Sequence, residues 1–156
     1  MKRWPADLAR LLDRQVPIFI HVAAAHDEMP PMSCRGYFAR TDERSGQVWI
    51  GILKSQWARL QPYIQRKSKL AALLTCGLDN ESYQVKGTFV ERRSCSDEDN
   101  ATLEDQIKIT FRHYPNLVPL VSVHPSDCLC IGIEVQSIYQ QTPGKDAGAL
   151  IYERGV

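Results

Sequence analysis

Three cations stand out because they fall on separate stretches of regular pattern: Arg35, Lys54 and Lys86. Each alone is an ordinary solvated charge, but brought together they could hold a phosphate. Ser55, where a helical pattern begins, would add backbone N–H donors to such a site. Cys128-x-Cys130, with His113 and His124 upstream, has metal-ligand residue types. A zinc site needs four ligands at close spacing, and two alternate cysteines in a strand followed by Gly132 read instead as small residues packed in a barrel interior. His21 lies in an apolar run and is expected to be a hydrogen-bonded core histidine. Cys34 next to Arg35 could be an activated thiol, yet burial in its strand is the simpler reading. His26-Asp27-Glu28 offers a base without a nucleophile. The sequence has no phosphate-binding glycine loop, GxGxxG, HExxH or GxSxG, so the common nucleotide and hydrolase chemistries are unsupported.

The elements that would carry these residues follow from periodicity. Ala6 to Asp13 has helical spacing of leucines and ends before Pro17. Ile18–Ala25, "IFIHVAAA", reads as a buried strand, Pro30-Pro31 as a connection, and Ser33–Thr41 as a second strand. "DERSG" turns the chain into a third strand, Gln47–Leu53. Trp57, Leu60 and Ile64 then lie on one helix face, with Ser55 as cap. Pro62 costs about 3 kcal/mol inside a helix, so two short turns are expected there. Lys69–Cys76 reads as a strand buried on both faces. In Ser82–Val90, "SYQVKGTFV", Tyr83, Val85 and Phe89 alternate with Gln84, Lys86 and Thr88, which gives one apolar and one polar face. Ser96 caps a long helix that carries Asp97, Glu98 and Asp99 in its first turn, an apolar stripe of Leu103, Ile107 and Phe111, and a stop at Pro115. Cys128–Tyr139 is the sixth strand, followed by a Pro-Gly turn and a tail from about residue 140. The expectation is a mainly β, α+β fold: a six-stranded antiparallel split β-barrel of Greek-key type with flanking helices, one domain over 1–156, with an N-terminal helix within 1–16.

Composition bounds the function. The chain has 156 residues, 44% hydrophobic and 24% charged, with a formal charge of +1. That balance predicts no nucleic-acid partner. No apolar run reaches the roughly 20 residues of a membrane helix. Five cysteines, an odd number, and the charges that interrupt the N-terminal stretch predict a cytoplasmic protein without a disulfide framework.

The order of these pieces resembles the FMN-binding split-barrel superfamily that includes pyridoxamine 5'-phosphate oxidase. The resemblance rests on the hairpin "RGYFARTDERSGQVWIGI", the helix-then-strand "LKSQWARLQPYIQRKSKLAALLT", the strand "YQVKG" and the ending "IYQQTPGKDAG", and it covers Ile18 to Gly148. It implies a homodimer with FMN sites at its interface. Gln84 and Lys86 would face the flavin, Arg35 would lie near the phosphate, Gly51 would approach through its backbone, and Lys54 and Ser55 would meet the phosphate. Where the oxidases carry Ser-Arg-Lys, this chain has Ser55-Gln56-Trp57, and residues matching the oxidases' C-terminal substrate arginines are absent. Two functions stay open: a flavin-dependent oxidoreductase acting on a small molecule, with no assigned catalytic residue, and a non-catalytic barrel that has lost FMN or takes heme or deazaflavin. No metal is expected.

Overall fold

A computed structural model describes residues 4–65 and 67–155. Eight strands form one antiparallel sheet: β1 (Ile18–His26), β2 (Met29–Gly36), β3 (Phe38–Asp42), β4 (Gln47–Leu53), β5 (Lys69–Cys76), β6 (Ser82–Ser94), β7 (Cys128–Gln140) and β8 (Leu150–Glu153). The spatial order is β2-β1-β5-β6-β7-β4-β3, with β8 beside β7. β2 and β3 are the two edges of this path, yet a single residue, Tyr37, separates them in the chain. The sheet therefore curls until its edges meet at that corner without forming a ladder, which makes a split barrel. Gly36 permits the corner, because a Cβ there would come within 2.7 Å of Ile50 and 2.8 Å of Ile20.

Two expectations change in the count of strands. The predicted strand Ser33–Thr41 is broken at Tyr37, and the predicted tail contains β8; six strands become eight. Pro30 and Pro31 belong to β2 rather than to a connection, which is tolerated because β2 is an edge and its missing N–H groups leave no ladder bond unmade.

The barrel interior is aliphatic. Ile20 and Val22 of β1, Ile50 and Ile52 of β4, Leu74 of β5, Val85 of β6, and Ile131, Ile133 and Val135 of β7 are fully buried and packed together. β1 and β5 each bury one face only, alternating along their length. The expectation that Lys69–Cys76 is buried on both faces fails because its outward positions, Ala71 and Leu73 among them, look apolar in sequence yet lie toward the outside, and the strand read as buried at Ile18–Ala25 likewise turns Ala23 and Ala25 outward. His21 is likewise exposed rather than a core residue.

Among the described residues, four α-helices decorate the barrel: α1 (Ala6–Asp13), α2 (Lys54–Leu60), α3 (Asp97–His113) and α4 (Val118–Val121). α2 is followed by a 3-10 turn, Gln61–Tyr63, that accommodates Pro62. Ser55 does not cap α2, which starts at Lys54 with no side-chain cap. α3 covers the outer face of β3, β4 and β7, where Leu103 packs with Phe38, Cys128 and Cys130. The two cysteines are thus buried under α3 and not in the barrel interior. The stripe of α3 also shifts: Asp99, Leu103, Ile109 and Thr110 are buried, whereas Phe111 is 64% exposed. The Gln106 side chain fastens the helix to the barrel, accepting from the Ile18 N–H (3.0 Å) and donating to the Val16 carbonyl (3.2 Å). Ser96 and Asp99 form a reciprocal capping box at the start of α3. Replacing Ser96 by alanine is expected to cost about 1 kcal/mol of stability in urea denaturation.

Candidate functional site

The antiparallel registers convert the alternation of β6 into a map. Arg35 pairs with His21, His21 with Leu73, Leu73 with Gln84, and Gln84 with Tyr139. These five residues form one row across β2, β1, β5, β6 and β7 on the outer face. The adjacent row runs Ser33, Ala23, Ala71, Lys86 and Ser137. Leu73 stands 37% exposed among these rows. Arg35 and Gln84 share the first row but lie three strand spacings apart, about 14 Å. The Arg35 guanidinium donates instead to the Leu120 carbonyl of α4 at 3.4 Å.

Small side chains hollow this face. Ala23, Ala25 and Ala71 floor a shallow cleft of about 430 Å³ whose rim carries Lys69, Lys86 and Thr88. An apolar floor with a few polar groups at its edge is the usual composition of a small-molecule site. The Lys86 ammonium lies 5.0 Å from the centre of the Tyr139 ring, close enough for a cation–π attraction that steadies the long side chain. Gln84 accepts at 3.3 Å from the side-chain amide of Gln141, and the Ser82 N–H donates to Thr142 Oγ1 at 3.0 Å. The "QTPG" segment therefore braces the strand that carries Gln84 and Lys86. The sequence places Gln84 and Lys86 on the polar face of this strand, but it puts His21 in the core and does not mark Leu73 or Tyr139; their place in Gln84's row follows only from the strand registers.

Lys54 and Ser55 lie elsewhere. Lys54 follows Leu53, which pairs with Cys128 at the start of β7, whereas Lys86 pairs with Ser137 of the same strand. Nine residues of β7 separate these positions, about 30 Å of strand. Lys54 borders a second cavity, about 450 Å³, together with Asn100, His124, Ser126, Cys95 and Cys128. Within it, His124 Nδ1 accepts from the Ser126 N–H at 3.1 Å and lies 2.6 Å from Ser126 Oγ. Burial pushes the Cys128 thiol up to about 11, so it is protonated at neutral pH. Gly51 sits in the wall between Phe38 and Cys130; a Cβ there would overlap the Phe38 ring, and its carbonyl accepts from the Tyr37 N–H at 2.8 Å. Cys34 is buried, and that burial raises its thiol.

Beside the second cavity, fully buried Asp99 gathers several donors. Its carboxylate accepts from Arg93 (2.6 Å), Arg40 (3.0 Å), the Ser96 N–H (2.8 Å) and the Cys130 thiol (3.4 Å). Burial alone would raise its pKa, but these donors more than reverse that and hold it well below the usual carboxylate range. Arg93 also lies 4.5 Å from the Trp49 ring. The sequence gives a cap for α3; it does not reveal that Arg40 and Arg93 converge on that cap.

No family model and no curated protein matches the chain. Solved structures do. HupZ of Group A Streptococcus superposes with a TM-score of 0.54 at 14% identity, covering 93% of this chain and 99% of its own. A protein of the pyridoxinephosphate oxidase family from Clostridium acetobutylicum, related to general stress protein 26 of B. subtilis, gives 0.51 at 11% identity, covering 94% and 92%. A pyridoxamine 5'-phosphate oxidase-related, FMN binding protein from Nostoc punctiforme gives 0.51 at 11%, covering 94% and 87%. Over nearly the whole described chain, this protein has the split-barrel fold of the pyridoxamine 5'-phosphate oxidase-related proteins.

Proposed function

We propose that this chain is a cytoplasmic, single-domain protein that binds FMN as a homodimer and serves as a flavin-dependent oxidoreductase for a small molecule. The observation that carries the reading is the division of the six expected residues. Lys86 edges the alanine-floored cleft, with Gln84 two residues before it on the same face of β6 and Arg35 at the far end of Gln84's row, while Gly51, Lys54 and Ser55 lie at or near the opposite end of β7. One copy cannot offer both groups to a single flavin; two copies packed on this outer sheet face can. Leu73, with Ala23 and Ala71 in the adjacent row, gives that face an apolar surface suited to self-association.

The residues fit the cofactor unevenly. The flat alanine floor accepts a planar ring, and Gln84 and Lys86 supply hydrogen-bonding groups beside it. At the phosphate end, Lys54 is a single point charge without the bidentate fork of an arginine. FMN, when bound, would supply the hydride chemistry. The protein would orient the ring, exclude water through the second copy and balance the phosphate charge.

Freshly purified protein should show a flavin spectrum, or the apo form should bind FMN in the micromolar range while eluting as a dimer. A colourless protein that takes up no FMN at that concentration sinks the reading. Lys86→Glu is expected to weaken FMN binding about tenfold or more, since a loss near 1.4 kcal/mol follows from reversing one charge at the site. Its Tm should stay within about 2 °C of the parent because Lys86 is exposed.

A second reading has its own observation. Trp57, where the oxidases carry a cation, is packed: its ring stacks on Phe89 with centroids 5.8 Å apart, and Arg92 lies 5.8 Å from it. That position serves the fold rather than a phosphate. A barrel that has exchanged FMN for heme, deazaflavin or another ligand would use the same cleft without redox chemistry. Spectra taken after adding each ligand separate the two.

A further inference from the structure

We infer that Cys95 and Cys130 form a reversible redox pair that closes to a disulfide under hydroperoxide. The inference is independent of the cofactor reading. Their sulfurs lie 3.6 Å apart, so closure needs an approach of about 1.6 Å to reach S–S bonding distance. The two differ in access. Cys95 is partly exposed and lines the cavity that holds Lys54 and His124, whereas Cys130 is fully buried behind it. This is the arrangement of an attackable thiol backed by a resolving one. Cys95 lies outside regular structure: it immediately follows Ser94, the last residue of β6, and precedes the cap of α3. Cys130 sits within β7, held at Arg93 on one side and Gly51 on the other.

The same sulfurs with Asp99 have metal-ligand spacing, but the carboxylate argues against a cation. Both Asp99 oxygens already accept from Arg93 and Arg40, and the Ser96 N–H adds a further bond. A metal would have to displace those donors and sit beside two guanidinium groups. A disulfide asks far less. It removes the weak thiol donor from Asp99 and leaves the four stronger bonds in place.

With hydrogen peroxide the chemistry balances as follows. The Cys95 sulfur attacks one peroxide oxygen, the O–O bond breaks, and a first water leaves, giving a sulfenic acid. The Cys130 sulfur then attacks that sulfur, the S–O bond breaks, and a second water leaves. Two thiols lose two electrons, one peroxide is reduced, and both thiol protons end in water. Peroxide is the two-electron oxidant, and the pair stays reduced without it; burial raises both thiols, which keeps the thiolate fraction small and makes the first step slow at neutral pH.

The test treats folded, reduced protein with hydrogen peroxide, quenches it, and maps disulfides by peptide mass spectrometry without reduction. The expected result is loss of two hydrogens' mass, disappearance of two of the five thiols, and a Cys95–Cys130 crosslinked peptide, all reversed by dithiothreitol. In Cys130→Ser, Cys95 should instead accumulate as a sulfenic acid trapped by dimedone. Unchanged mass in the parent protein overturns the inference. So does a Cys95–Cys128 crosslink in place of Cys95–Cys130, or stoichiometric zinc that shields the thiols. If Cys130→Ser does not fold, the crosslink map of the parent protein decides alone.

Discussion

Replacing Asp99 by alanine is expected to cost about 3 kcal/mol of folding stability, the largest loss for any single polar side chain here. The substitution removes four effects at once. Asp99 is the third helical residue of α3 and its carboxylate closes the capping box on Ser96. It accepts from two arginines on two different strands, Arg40 of β3 and Arg93 of β6. It thereby ties α3 to the barrel wall it covers. Removing one partner of such a group leaves the other charges facing a hole they cannot fill. The estimate sits at the low end for a buried pair because Arg40 and Arg93 are 38% and 33% exposed and can turn partly toward water. Urea denaturation of the parent and Asp99→Ala at neutral pH measures it. A change below about 1 kcal/mol would mean the network is solvated.

The same group sets an acid response whose sign is fixed. Its folded-state pKa lies below the unfolded value near 4. Its contribution is therefore complete above that unfolded value and is lost only as pH falls toward the folded one. Parent and Asp99→Ala should thus differ by a constant amount from about pH 5 to pH 8, and their curves should converge only in strong acid. Asp79, exposed and paired with Arg14, is shifted the same way, but solvent screening leaves it a minor contributor.

Much of this is legible in the sequence. Alternation in Ser82–Val90 put Gln84 and Lys86 on one face and Tyr83 and Val85 on the other, and the structure places them so. The helix boundaries at Ser96 and Pro115 follow from capping and proline chemistry that acts within a few residues. What failed was non-local. Parity says that Cys128, Cys130 and Gly132 share a face, but which side of the sheet that is depends on where α3 lands, ninety residues from its anchor at Val16. The run "IFIHVAAA" reads as a buried strand because alanine is apolar, yet Ala23 and Ala25 are outward and are what leaves the cleft open. The break at Tyr37 depends on the side chains of Ile20 and Ile50, which crowd Gly36 from strands distant in sequence. The grouping of Arg40, Arg93 and Asp99 likewise needs three elements to converge, and no local pattern encodes that.

Gly87 links the site to the barrel, and Gly87→Ala is the second substitution expected to have a large effect. The residue lies at a bulge, where pairing with β7 slips between Lys86 and Gly87. A Cβ there would overlap the Glu134 carbonyl oxygen and approach Ile133 Cγ2 to 2.9 Å. The first obstacle is backbone, which cannot rotate away as a side chain could, and the second is a fully buried isoleucine. Relief requires β6 and β7 to separate or the bulge to move, at a cost of about 3 kcal/mol, the upper end for overpacking. For a chain of this length that is a fall of about 6–12 °C in Tm. The bulge also sets the pairing beside Lys86: its extra residue is Gln136 of β7, and moving it by one residue would change which β7 side chains flank Lys86 and Gly87 on the cleft face. Flavin uptake by Gly87→Ala should therefore fall more than stability alone explains, even at a temperature where the variant remains folded. A Tm within about 2 °C of the parent would show that the strands absorb a methyl group at this contact. Unchanged FMN affinity in a destabilised variant would instead show that the register around Lys86 does not set the cleft, and would move the flavin elsewhere on the barrel.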